Sequence, residues 1–153
     1  MYKNILYVCT GNTCRSPMAE FITRHLLEGD KLSINVESRG IYAFSGSLMS
    51  DNSQRALQSL GIDNIEGFRA KVFEALDYKK FDLILTMTWA QKEGLSQVTG
   101  DEGGKIFALY EFVYNENKDI VDPFGQSYGV YESCANEIYA IILGLIDKIS
   151  LPQ

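Results

Sequence analysis

Short apolar runs alternate with helical patterns along this chain, and that alternation leaves few folds open. "NILYV" (4–8) is an unbroken apolar run, as expected for a strand covered on both faces of a parallel sheet. A helix is predicted to follow from Ser16, with Ser16 at its N-cap and Pro17 at N1. Met18, Ile22 and Leu26 mark its inner face, with Phe21 beside them. "SINVES" (33–38) alternates like a second strand, and "DNSQRALQSLG" (51–61) reads as a helix stopped by Gly61. "FDLILTM" (81–87) is a third strand, "AQKEGLSQV" (90–98) a helix, and "KIFAL" (105–109) a fourth strand. A loop through "NENKDIVDPFGQS" leads to a last helix over 129–149, with Ala135, Ile138, Ile142, Leu145 and Ile149 facing inward. Such a succession implies right-handed crossovers and an α/β three-layer sandwich around a parallel sheet. Ligands in these sheets sit beyond the C-terminal ends of the strands. The 153 residues fit a single domain, 1–153, with room for a real core.

Composition narrows the partners. With 14 basic and 20 acidic residues the formal charge is −6, so neither nucleic acid nor an anionic membrane is a natural partner. Any anion site must be a strong local exception. The longest apolar stretch, "IYAIILGLI" (138–146), is far short of the ~18 residues that a membrane span needs. Three cysteines cannot all pair within one chain. With no leader pattern at its start, the chain is expected in the reducing cytoplasm.

The stretch "YVCTGNTCRSPMAE" (7–20) places two cysteines, an arginine and a glycine between the first strand and the first helix. A turn at that place exposes several backbone N–H groups beside a helix N-terminus and forms an anion nest. Gly11 takes positive φ without strain, and Asn12 tolerates it. Arg15 adds a planar fork for two phosphate oxygens. Cys9 then lies at the bottom of a positive bowl, whose field favours thiolate over thiol. The Ser16 hydroxyl can donate to that sulfur as well as cap the helix. The loop would hold a tetrahedral anion and aim a nucleophile at its centre, as phosphoryl transfer through phosphocysteine requires.

Other chemistries fit less well. The Cys9–Cys14 spacing is not the C-x-x-C of redox motifs. Zinc takes about four N/S ligands, whereas the chain has three Cys and one His, so no metal is expected. The loop lacks both G-x-x-x-x-G-K-[ST] and G-x-G-x-x-G. His25, on the first helix, reads as structural, Cys134 as core, and Thr88 and Trp89 as ordinary packing.

"VCTGNTCRSP" is similar to the N-terminal Cys-x5-Arg-Ser signature of the low-molecular-weight protein tyrosine phosphatases, and "DPF" (122–124) resembles that family's Asp-Pro-Tyr. The likeness covers nearly the whole chain. It implies a four-stranded parallel sheet in order 2-1-3-4, a phosphate loop between strand 1 and helix 1, and a two-step mechanism without cofactor or metal. Cys9 would attack phosphorus, while Arg15 and the N–H groups of Thr10, Gly11, Asn12, Thr13, Cys14 and Arg15 hold the equatorial oxygens. Asp122 would protonate the leaving group and then serve as base for water. Pro123 restrains it and directs it away from helix. By the same resemblance Ser38 supports Asn12 in a strained conformation, and a histidine that some relatives carry near Phe68 is absent. Cys14 lies close to Cys9 in any tight loop, and either forms a protective disulfide with it under oxidants or is packed and inert.

Thr13 departs from the Ile or Leu common in tyrosine-specific members. "CTGNTCRSPMAE" with "DPFG" looks more like the bacterial protein arginine phosphatases of the family, in which that Thr is linked to phosphoarginine selectivity. Tyr42 and Phe124 would flank the entrance and stack on a flat group. The resemblance therefore implies a phosphorylated protein as substrate, phosphoarginine ahead of phosphotyrosine, and inorganic phosphate as product or inhibitor. The alternative is a thioredoxin-coupled arsenate reductase of the same fold. That enzyme needs two further cysteines on and after the third strand, and none lies between Cys14 and Cys134. Pro17 also replaces the Gln of that motif. A phosphocysteine carrier would need neither Arg15 nor Asp122, and a phosphopeptide-binding module would not turn over.

Overall fold

The structure is a computed structural model and describes residues 1–102 and 104–151. Its sheet is built from β1 (Asn4–Cys9), β2 (Asn35–Gly40), β3 (Leu83–Thr86) and β4 (Ile106–Ala108). The strands are all parallel, in the order β2-β1-β3-β4. Between and after them come α1 (Arg15–Leu27), α2 (Asp51–Ser59), α3 (Ala75–Lys80), α4 (Trp89–Thr99), α5 (Leu109–Tyr114) and α6 (Tyr128–Ser150). The sheet class, strand order and place of the phosphate loop all agree with the expectation.

The alternation of β1 explains its unbroken apolar run. Ile5, Tyr7 and Cys9 enter the larger core with Met18, Ile22, Leu57, Ile138 and Ile142. Leu6 and Val8 enter a second core on the opposite face with Phe81, Ile84, Leu95 and Ile106. Burial on both faces is what a central parallel strand requires. The inward-facing residues predicted for the last helix are all buried on α6. Among the described residues, no helix is long and apolar enough to cross a membrane.

Two local expectations are revised, and two short helices are added. Cys14, not Ser16, is the N-cap of α1, so Arg15 is N1 and Pro17 is N3. Pro17 is still tolerated because the first four N–H groups of a helix have no partner within it. β2 begins at Asn35 rather than at 33, because its pairing starts where β1 starts, Asn4 against Asn35, and ends at Cys9 against Gly40. α3 and α5, six residues each, are too short for a helical period to register.

Candidate active site

β1 delivers Cys9 to the C-terminal edge of the sheet, and the chain turns at once into α1. The N–H groups of Thr10, Gly11, Asn12, Thr13 and Cys14 donate no hydrogen bond among the described residues. Five donors in one turn, at the positive end of a helix, form a site for an anion. Carbonyls on the outer side of the same loop are tied down: Cys9 by Ile41 N–H (3.0 Å), Thr10 by Tyr42 N–H (2.9 Å) and Thr13 by Ser50 N–H (3.0 Å). The loop is thus fixed by its acceptors and keeps its donors free.

Asn12 rather than Gly11 takes the left-handed conformation, at φ 56°. Its buried side chain stabilises that choice. Nδ2 donates to Ser16 Oγ (2.9 Å) and Ser38 Oγ (2.9 Å), while Oδ1 accepts from Lys71 N–H (3.0 Å). Ser38 Oγ donates in turn to Glu20 Oε1 (2.6 Å), and Glu20 pairs with Arg24 (2.8 Å). Burial raises the Glu20 carboxyl above its ordinary value, with Ser38 and Arg24 opposing the rise. Ser16 Oγ lies 2.8 Å from Cys9 Sγ. Ser16 Oγ accepts from Asn12, and its proton has two acceptors within reach, Cys9 Sγ and Arg39 O (3.4 Å).

Arg15 is 4% exposed. One terminal nitrogen donates to Ile120 O (2.8 Å), and the other stands 3.6 Å from Asp122 Oδ2. Its Nε is buried and has no partner among the described residues. A buried unpaired guanidinium N–H is costly unless an acceptor completes it, and Arg15 lines the same cavity as Cys9. Asp122 is half exposed, and its Oδ1 accepts from Phe124 N–H (3.1 Å) in a tight turn across Pro123.

Cys9, Thr10, Gly11, Thr13, Cys14, Arg15, Asp122 and Phe124 line one cavity of about 220 Å³. Asn12, Ser16 and Ser38 lie buried beneath it. Tyr42 is 82% exposed and does not line the cavity. Cys14 Sγ is near Ser50 Oγ (3.5 Å) and Tyr131 OH (3.6 Å), and all three cysteines are free thiols. Cys134 is buried in the core, where burial pushes its thiol up to about 12. Phe68 packs edge-on against Phe21. A larger hollow of about 590 Å³ opens nearby, lined by Glu20, Arg24, Ser38, Arg39, Phe68 and Lys71 among others. It meets the loop through Ser38 and Lys71, which both bond Asn12. Among the described residues, no cluster of three metal-ligating side chains occurs.

Two supporting residues escaped the sequence. Gln91 Oε1 accepts from the N–H groups of Met87 (3.0 Å) and Thr88 (3.1 Å), while its Nε2 donates to Thr10 Oγ1 (3.1 Å). A Gln three residues after a Thr is a capping-box signal, so the cap was readable but its reach to the loop was not. Gly40 lies under the loop: a Cβ there would stand 2.8 Å from Thr10 O and 2.9 Å from Asn12 N.

Residues 4–151 match the family described as low molecular weight phosphotyrosine protein phosphatase. The chain is 39% identical over 145 residues to the low molecular weight protein-tyrosine-phosphatase PtpB of Staphylococcus epidermidis, covering 95% of each chain. It is 31% identical over 148 residues to a protein-arginine-phosphatase of Bacillus subtilis, covering 95% of this chain and 96% of that one. Among solved structures, a cysteine-to-serine mutant of the YwlE arginine phosphatase with a phosphorylated active-site serine superposes with a TM-score of 0.92. The identity there is 29%, over 98% of this chain and 97% of the other.

Proposed function

The chain belongs to the low-molecular-weight phosphotyrosine protein phosphatase family, and we propose that it hydrolyses phosphorylated protein side chains through a phosphocysteine at Cys9, with phosphoarginine preferred over phosphotyrosine. The observation that carries this reading is the cavity itself: a thiol at its base, a ring of unused N–H donors, and a buried Arg15 whose Nε has no acceptor. A tetrahedral dianion supplies acceptors to all of them.

In the first step Cys9 Sγ attacks phosphorus, the S–P bond forms and the P–N or P–O bond to the side chain breaks. The leaving nitrogen or oxygen takes its proton from Asp122. Charge moving onto the equatorial oxygens is met by the loop N–H groups and Arg15. In the second step water gives a proton to Asp122 and attacks phosphorus, the S–P bond breaks, and Ser16 receives the returning thiolate. Inorganic phosphate leaves, and no metal or cofactor is required. Three free thiols suit a reducing compartment, the cytoplasm.

Thr13 supports the choice of phosphoarginine. It lines the cavity, and among the described residues its hydroxyl has only a weak contact, 3.8 Å to Cys14 Sγ. That hydroxyl is available to a guanidinium or to the attacking water, where a branched aliphatic would offer only a wall. Phe124 at the rim stacks on either substrate and does not discriminate. The likeness to a Bacillus subtilis protein-arginine-phosphatase agrees with that choice, while the Staphylococcus epidermidis relative is named a tyrosine phosphatase. Arsenate reduction is not favoured, since no cysteine lies between Cys14 and the buried Cys134 to carry electrons away.

The test is a side-by-side rate measurement on phosphoarginine and phosphotyrosine peptides. Thr13→Ile should lower phosphoarginine hydrolysis and keep or raise that of aryl phosphates. Equal loss on both would remove the selectivity role. Asp122→Ala should slow turnover by about 10²-fold or more.

A further inference from the structure

The segment that carries Asp122, residues 115–127, contains neither helix nor strand, yet proton delivery needs placement to a fraction of an ångström. Its central residues meet the body of the protein through Asp119, Ile120 and Val121, whose carbonyl accepts from Cys134 Sγ (3.9 Å). Ile120 is fully buried; its N–H donates to Met87 O (3.0 Å) and its carbonyl accepts from Arg15 (2.8 Å). One residue earlier, Asp119 Oδ1 accepts from Trp89 N–H (2.9 Å).

Trp89 is the first residue of α4, and α4 has no acidic residue in its own first turn. Its N-cap Thr88 satisfies Gln91 N–H (3.1 Å) and leaves the N–H of Trp89 for another acceptor. Asp119 supplies that acceptor, together with the negative charge that a helix N-terminus favours. The same turn of α4 holds the nucleophile loop, through Gln91 and Thr10. One rigid helix start thus touches both reacting halves of the cavity: Thr10 beside Cys9, and Asp119 three residues before Asp122.

We propose that Asp119 is a positioning residue for Asp122, fixing the acid-bearing segment on α4 at the separation from Cys9 that protonation of the leaving group needs. The inference rests on the phosphatase reading above.

The experiment measures kcat/KM for dinitrophenyl, p-nitrophenyl and phenyl phosphate, whose leaving groups need a donated proton to increasing degree. Asp119→Ala should lose about 10-fold on phenyl phosphate and less than about 2-fold on dinitrophenyl phosphate. Asp119→Asn keeps an acceptor oxygen for Trp89 N–H and should recover to within about 3-fold of the parent on phenyl phosphate. In an Asp122→Ala background, Asp119→Ala should cause no further loss on phenyl phosphate, because the two act as one unit. If the alanine protein does not fold, Asp119→Glu, which keeps the charge and changes only the reach, should give the same contrast in smaller measure. Equal loss on all three substrates, no loss on any, or full additivity with Asp122→Ala would overturn the proposal. Cys9-dependent turnover with an unchanged dependence on leaving group sinks this inference alone. A parent protein without Cys9-dependent turnover sinks the phosphatase reading and the inference with it.

Discussion

Asn12 holds the loop in shape by two separable means, a left-handed backbone and three hydrogen bonds. Asn12→Ala loses both and should lower stability by about 2–4 kcal/mol in denaturant unfolding. Asn12→Gly relieves the backbone term alone and should cost about 1–3 kcal/mol, so alanine must be the worse of the two. If glycine proves as costly as alanine, strain at this position is not part of the design. Gly40→Ala should be damaging for a different reason. Its Cβ would meet backbone atoms of Thr10 and Asn12 under 3.0 Å away, so the loop itself must shift. A marked fall in kcat/KM with only modest loss of stability is expected. Much at this scale was legible: Cys9, Arg15 and Asn12 stand where a strand-to-helix turn puts them. Gly40 and Gln91 were not, because their meaning lies in a close approach and a contact across 81 positions of chain. Ser16 was misplaced as a cap because a Ser-Pro step reads the same whether its hydroxyl faces the helix or a neighbouring sulfur.

The elements that carry the site are joined at their ends, and β2 shows how. It is an edge strand whose Ser38 supports Asn12. Glu37 links it to α3 through Lys80 (2.8 Å), and Arg39 links it to Asp77 (3.2 Å). Burial alone would raise the Glu37 carboxyl, but hydrogen bonds from Lys80, Asn35 and Arg39, with the Arg39 charge, outweigh it and lower it to about 2. A carboxyl depressed on folding contributes stability that is full above its ordinary value of 4.5 and is lost as pH falls toward 2. Glu37→Gln should therefore lower stability at neutral pH and flatten the loss over that acid window, as read by thermal unfolding against pH. A parallel acid loss in both proteins would contradict it. β1, β3, α1 and α6 were readable because their apolar periods are long enough to be unambiguous. α3 and α5 were not, since six residues give less than two helical turns; each is closed at its start by a carboxylate, Asp77 accepting from Glu74 N–H (2.9 Å) and Glu111 from Ala108 N–H (3.1 Å).

Across the whole molecule, the cavity binds together the end of β1, the start of α1 and the segment before α6. An anion there engages only the folded chain, so phosphate at about 100 times its dissociation constant should add about 2.7 kcal/mol of stability. For a domain of this size that corresponds to a rise of about 5–10 °C in Tm. Arg15→Ala should abolish most of the rise, since the guanidinium supplies the buried charge facing the anion. The architecture as a whole followed from alternation of apolar runs and helical patterns, whereas the meeting of Asp122 with Arg15 depends on how a loop without regular structure lies on the body. The central claim is that Cys9 takes the phosphoryl group. Mass spectrometry of protein quenched during turnover of an aryl phosphate tests it most directly. One phosphoryl group should be found on the peptide containing Cys9, and none in Cys9→Ala, which should be folded and inactive. Turnover with no such adduct, or with the phosphoryl group on another residue, would contradict the account.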